Sequence, residues 1–207
     1  LGDVHRELAD YPKALKTYQA SLSISKEVKD RKGEGISLSN VGRVNRDLAN
    51  YSKALHLSKQ ALAIHRDIGD RRWEGISLSN IGSIYTALSD YRHALQTSQQ
   101  ALAIHRAIGD RRWEGITLRH IGKIYAKLSD SPKALKLFQQ ALAIHRDIGA
   151  RLDIVDTQYA MVLIYANKNQ ETKARELLEE VINLGKQIQH PNLPKFIQLL
   201  TELKQDN

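Results

Sequence analysis

The feature that most restricts what this chain can fold into is a forty-residue repeat. Laid on Gly109 to Ile148, the stretch Gly69 to Ile108 keeps about two thirds of its residues. A glycine after an aliphatic residue marks the register at Leu1-Gly2, Val41-Gly42, Ile81-Gly82 and Ile121-Gly122, and Met161-Val162 stands where a fifth pair is due. Self-similarity at such a period belongs to stacked arrays, in which each unit buries its apolar face against its neighbours rather than in one central core.

Within a unit, Leu78, Ile81, Tyr85 and Leu88 recur at i, i+3, i+7 and i+10. Ser89-Asp90 follows, and then Ala94, Leu95, Ala101, Leu102 and Ile104 repeat the helical spacing. One unit therefore reads as an antiparallel helix pair. Asp10, Asn50, Asp90 and Asp130 are placed to cap the second helices, with Pro12 harmless in a first turn. Gly69, Gly109 and Gly149 supply left-handed caps, and Asp70 or Asp110 opens the next pair. Gly82 and Ala94 fall where the paired helices come closest.

The pattern Leu78-x2-Ile81-Gly82-x2-Tyr85, then Ala94-x3-Ser98 and Ala101-Leu102, resembles the tetratricopeptide repeat signature. Leu78 takes the place of the usual tryptophan and Ser98 that of an aromatic, which Tyr18 and Phe138 supply in two other copies. The long period and the GDRRWEG linker are similar to the long-repeat arrays of kinesin light chains, Pins-type adaptors and bacterial signalling proteins. The resemblance implies an all-α, right-handed superhelical solenoid of helix pairs closed by a C-terminal capping helix.

The expected organisation is an array over 1–190, with a partial unit at 1–30 and units at about 33–68, 73–108, 113–148 and 152–189. A capping helix over 191–207 would start at Asn192 and turn Phe196, Ile197, Leu200 and Leu203 inward. Trp73 and Trp113 are expected to begin their helices and to pack between units, since Gly33 holds the same place in an earlier copy. The partial first unit reads as a piece of a longer array, with Leu8, Leu15 and Leu22 as an exposed apolar strip through which the chain could self-associate.

Composition removes several classes of function. There is no cysteine, which excludes disulfides, thiolate metal sites and cysteine nucleophiles. No apolar run is long enough to cross a bilayer and no leader is visible, so a soluble, cytoplasmic protein without membrane contact is expected. His65, His105 and His145 recur in ALAIHR, but stacked helices lie about 8–10 Å apart, too far to share a zinc at about 2.0–2.1 Å. Asn50-Tyr51-Ser52 fits a glycosylation triplet by coincidence with a turn. No nucleotide, zinc-protease or hydrolase motif is present, so no catalytic residue, metal or cofactor is assigned.

In arrays of the family it resembles, the first helix of each pair lines a concave groove. Carried onto this sequence, the partner-binding positions are Asn40, Arg43, Arg46, Ser79, Asn80, Ser83, Arg119, His120, Lys123, Lys127 and Tyr159, on a face opposite much of the core stripe. Asn40 and Asn80 stand where relatives place an asparagine that bonds a bound peptide's backbone. From the second full unit to the third, every groove position differs while capping and core positions mostly persist. Basic residues prevail there, within a net charge of +8, which favours a carboxylate-bearing partner. The expected function is a non-catalytic protein-interaction scaffold binding a peptide or protein segment, acidic in character. Alternatives are a sensor or autoinhibitory region of a larger bacterial signalling protein, and nucleic-acid binding through the basic face, although aromatics make up only 6% of the chain.

Overall fold

The computed structural model describes residues 2–7 and 10–205. Leu8, named above in the apolar strip, lies outside the described residues. Among these residues the secondary structure is entirely helical, in consecutively packed pairs. From Tyr11 to Gln187 the rhythm is strict, with 17-residue helices starting every twenty residues.

That rhythm has a local cause at each end. Asp10, Asp30, Asp70, Asp90 and Asp130 accept a backbone N–H of the first turn with their side chains, as in Trp73 N–H to Asp70 Oδ1 at 3.1 Å. Trp73 and Trp113 are consequently third in their helices, which start at Arg71 and Arg111 rather than at the indoles. Asn50 stands at the cap of its helix without a side-chain capping bond. Helices stop where one residue turns left-handed, as at Gly69, letting Asp70 N–H reach the His65 carbonyl at 2.9 Å and Gly69 N–H that of Arg66 at 3.1 Å. The same conformation falls on Lys29, Ala49, Ser89, Ser129, Asn169 and Gln189, where no glycine marks it.

The chain divides into two compact units, Leu1–Asp110 and Arg111–Asn207. The first holds α1 (Gly2–Glu7), α2 (Tyr11–Glu27), α3 (Arg31–Asp47), α4 (Tyr51–Asp67), α5 (Arg71–Ala87) and α6 (Tyr91–Ala107). Helix α3 packs between α2 and α4 and also meets α5, which packs between α4 and α6. The leading helices α1, α3 and α5 thus form one layer and the trailing helices α2, α4 and α6 the other. The interior is a string of small clusters: Ala14, Tyr18, Val41 and Val44, then Leu38, Ala61 and Ile64, then Leu62, Leu78, Ile81, Ala101 and Ile104. Leu15 and Leu22 pack against the first two of these and are half-buried. The exposed large apolar side chains at the end of α2 are instead Ile24, at 60% exposure, and Val28, the residue just past the helix; Ile64 and Ile104, the equivalents of Ile24, are only 6% exposed.

The second unit holds α7 (Arg111–Lys127), α8 (Ser131–Asp147), α9 (Arg151–Asn167), α10 (Glu171–Gln187) and α11 (Leu193–Gln205). Phe138, Leu142, Met161 and Ile164 form one cluster; Val155, Val162, Leu178, Val181 and Phe196 anchor another. Helix α11 turns Phe196 and Leu203 into that second cluster, with Leu193, Leu199 and Leu200 beside them, whereas Ile197 faces solvent. The inward stripe is therefore displaced from the one expected, because Leu199 rather than Ile197 packs on α9 and α10.

Each recurring imidazole has a packing role. His65, His105 and His145 are fully buried, and their rings fill the space left by Gly35, Gly75 and Gly115 on the paired helix. His65 also bonds Ser77 through Nδ1 at 2.9 Å and lies 5.7 Å from the Trp73 ring, linking α4 to α5. Among the described residues no His, Asp and Glu group could hold a metal, and no helix is long and apolar enough to cross a membrane.

Candidate partner-binding faces

In the first unit the leading layer carries a linked polar set. Arg46 bonds Asp47 at 2.7 Å and reaches Ser83 Oγ on α5 at 3.1 Å, while Arg6 of α1 bonds the other Asp47 oxygen at 3.2 Å. Arg43 donates to Asn40 Oδ1 at 3.2 Å and lies 3.8 Å from Asp3, whose carboxylate takes the Tyr18 hydroxyl at 2.7 Å. Burial, reinforced by Arg6, pulls the Arg43 pKa below its usual value. Asn40, Arg43, Arg46 and Ser83 are thus brought together, with their charge partly balanced from within.

On α5 the structure differs from the expected solvent face. Ser79 is fully buried and Asn80 nearly so, while Ser83 and Thr86 are half-exposed. The buried Asn80 Nδ2 meets no acceptor among the described residues, leaving an amide donor at the edge of the layer.

In the second unit Arg119 is buried, and its guanidinium bonds Asp156 at 2.9 Å and Asp153 at 3.4 Å, both on α9. Asp153 also takes Arg112 at 3.3 Å, and Asp156 lies 3.4 Å from His190 Nε2. Arg119 therefore ties α7 to α9, while Lys123 and Lys127 of the same helix are exposed and His120 is half-buried. Tyr159 is half-buried, 4.5 Å from the Phe196 ring and 5.7 Å from the Lys195 ammonium, so α11 covers part of it. Burial, with Glu202 adding to it, raises the Tyr159 pKa.

The acids opposite these bases share a sequence offset that a residue-by-residue reading passes over. Arg119 meets Asp156 37 residues on, as Arg46 meets the Ser83 hydroxyl; Lys32 meets Asp70 and Arg72 meets Asp110 38 residues on. One repeat less two or three residues spans adjacent leading helices, so an acid at that distance from a base was the available signal. Where Ala150 replaces the expected aspartate, Arg112 turns to Asp153.

Comparison with known proteins agrees with the fold. Residues 1–67 and 73–147 match the tetratricopeptide repeat family. No curated protein sequence matches the chain. The chain is similar to BtubC (BKLC) from P. vanneervenii, at TM-score 0.70 and 18% identity over 92% of this chain and 79% of that one. A Rap protein complexed with competence and sporulation factor aligns at TM-score 0.72 and 14% identity, over 99% of this chain and 62% of that chain. The STAND protein PH0952 from Pyrococcus horikoshii, with its tetratricopeptide repeat sensor, aligns at 0.72 and 22% identity, over 98% of this chain but 32% of its own length. The chain thus spans less than two thirds of the last two structures, and the likeness in each case is one of fold.

Proposed function

Because the chain belongs to the tetratricopeptide repeat family, whose fold is typical of protein-interaction scaffolds, we propose that it is a non-catalytic scaffold holding an acidic peptide or protein segment against its leading helices. The observation that carries this reading is the contrast between α5 and α7. Ser79, Asn80, Ser83, Thr86 and Ala87 become Arg119, His120, Lys123, Ala126 and Lys127, while Glu74, Gly75, Leu78, Ile81, Gly82 and Ile84 recur unchanged as Glu114, Gly115, Leu118, Ile121, Gly122 and Ile124. The packed core is largely repeated, and apart from the buried Ser77, Ser79, Asn80 and Arg119 the positions that differ are exposed or half-exposed, which suits recognition rather than chemistry.

The proposed anchors are Asn40, Arg43, Arg46, Asn80 and Ser83 in the first unit, and His120, Lys123, Lys127 and Tyr159 in the second. Ser79 and Arg119 belong to the set as buried residues that hold the displayed ones in place. The buried Asn80 side-chain amide, which meets no acceptor among the described residues, is the donor for a bound peptide's carbonyl, and exposed lysines supply the charge. The Rap relative was solved with a factor bound, which supports a peptide-binding reading of the shared fold. The test is to select a binding peptide from a random library and titrate it calorimetrically against Lys123→Glu/Lys127→Glu and Asn80→Ala variants. Weakening of at least about tenfold by the double charge reversal is expected; unchanged affinity in both variants contradicts the proposal. A sensor role inside a larger signalling protein is a second reading, favoured by the alignment of 98% of the chain with about one third of PH0952.

A further inference from the structure

The net charge of +8 is unevenly placed. Helices α2, α4 and α6 contain eight Lys and Arg residues against two acids, Glu27 and Asp67, a surplus of six. Of these, Lys13 pairs with Asp10 at 2.7 Å and Arg66 with Glu74 at 2.9 Å, while on the leading layer of the same unit Arg6 and Arg46 share Asp47 and Arg43 lies near Asp3. The sequence alone draws attention to the leading face, whereas the two-layer arrangement moves the cationic surplus of this unit to the opposite one.

The outer face of the trailing layer has a particular chemistry. Lys16, Lys53, Lys59 and Arg92 are exposed on it. Between them the middle turns of α4 and α6 show Gln60, Gln96, Gln99 and Gln100 with Ala63 and Ala103, all exposed, and no large apolar side chain is exposed among them. The exposed aliphatics of this unit sit instead at helix ends, at Leu48, Ile68, Leu88 and Ile108, or on the last turns of α2 at Ile24 and Val28. A protein partner would need an aromatic or aliphatic anchor there. A bilayer would need a wedge for the acyl boundary. A single strand would need rings on which bases stack, and Tyr51 and Tyr91 are half-buried. Cations and amide donors without anchors match one surface best, the phosphate backbone of a duplex.

We infer that the outer face of α2, α4 and α6 binds double-stranded nucleic acid through its phosphates, without sequence preference, independently of the peptide-binding leading helices. Four phosphate contacts give a salt slope of about −3.6, so affinity falls roughly 10²-fold between about 50 and 200 mM salt.

Fluorescence anisotropy with labelled DNA duplexes of about 20 base pairs tests this, using two unrelated sequences, the wild type, and Lys16→Gln/Lys53→Gln/Lys59→Gln/Arg92→Gln. The expected result is equal affinity for both sequences, the steep salt dependence, and at least about a tenfold loss in the fourfold variant. All four side chains are exposed, so the variant should keep the wild-type thermal melt, and Lys123→Glu/Lys127→Glu should keep duplex binding. Absence of binding at about 50 mM salt, salt-insensitive binding, or undiminished binding by a folded fourfold variant overturns the inference. Capture of polyglutamate or of phosphatidylserine vesicles that is lost in the fourfold variant but kept by Lys123→Glu/Lys127→Glu overturns it as well, by assigning the face to an acidic protein or a membrane.

Discussion

At the scale of single residues, the histidine and glycine that face each other across the pairs α3–α4, α5–α6 and α7–α8 carry the most consequence. An alanine at Gly75 would place its Cβ 2.6 Å from the His105 ring, inside a packed interface that cannot open locally. Gly75→Ala is therefore expected to lower stability by about 1–3 kcal/mol in urea unfolding. The imidazoles also set a pH window. Burial lowers the pKa values of His65 and His145 below their ordinary 6.5, with Asp70 and Asp153 respectively opposing the shift. Folded and unfolded chains are both neutral at these sites above that value, so the stabilisation is complete there. As pH falls through 6.5 the unfolded chain takes up protons first, and stability is lost down to the folded pKa. The urea midpoint should be lower at pH 5.5 than at 7.5, and a His65→Gln/His145→Gln variant should flatten that difference. A separate loss belongs to strongly acid solution. Burial tends to raise the Asp70 pKa, but Lys32 and the Trp73 N–H more than offset it, and His93 lowers that of Asp90.

At the scale of helices, the repeating ends explain both what the sequence discloses and what it conceals. The spacing of Leu78, Ile81 and Tyr85 and the aspartate caps make the pairs legible, because periodicity and capping are local properties. The left-handed residues are legible only at Gly69, Gly109 and Gly149, since Ala49 and Ser89 adopt the same φ near 59° against their own preference. Ala49→Gly should accordingly stabilise the chain by about 0.5–1 kcal/mol, the relief of a Cβ strain outweighing the added freedom of the unfolded chain. Helix faces are harder to read than helix extents. Ile197 lies on the outer side of α11 while Leu199 packs inward, a difference set by where α9 and α10 offer room. Arg119 reads as a displayed base until Asp153 and Asp156 are seen opposite it on α9. Removing it leaves the buried Asp153 with Arg112 alone and takes away two charged hydrogen bonds, so Arg119→Ala should cost about 1–3 kcal/mol by denaturation. Arg119→Met, which restores packing but not charge, should recover little of that while Asp153 remains.

At the scale of the whole molecule, variation between copies is governed by what must pack. Most buried positions of the leading helices recur from copy to copy because the helices of each unit must pack; between α5 and α7 the buried exceptions are Ser77, Ser79 and Asn80, and the other differences fall on exposed or half-exposed positions. The family and its all-α construction follow from the repeat, while the partner's chemistry depends on which cations remain accessible once neighbouring leading helices have paired. The most direct measurement is a charge-swap selection, panning one random peptide library against the wild type and against Lys123→Glu/Lys127→Glu. The account predicts acidic peptides from the first and a shift toward basic peptides from the second. The same peptides recovered from both would contradict it.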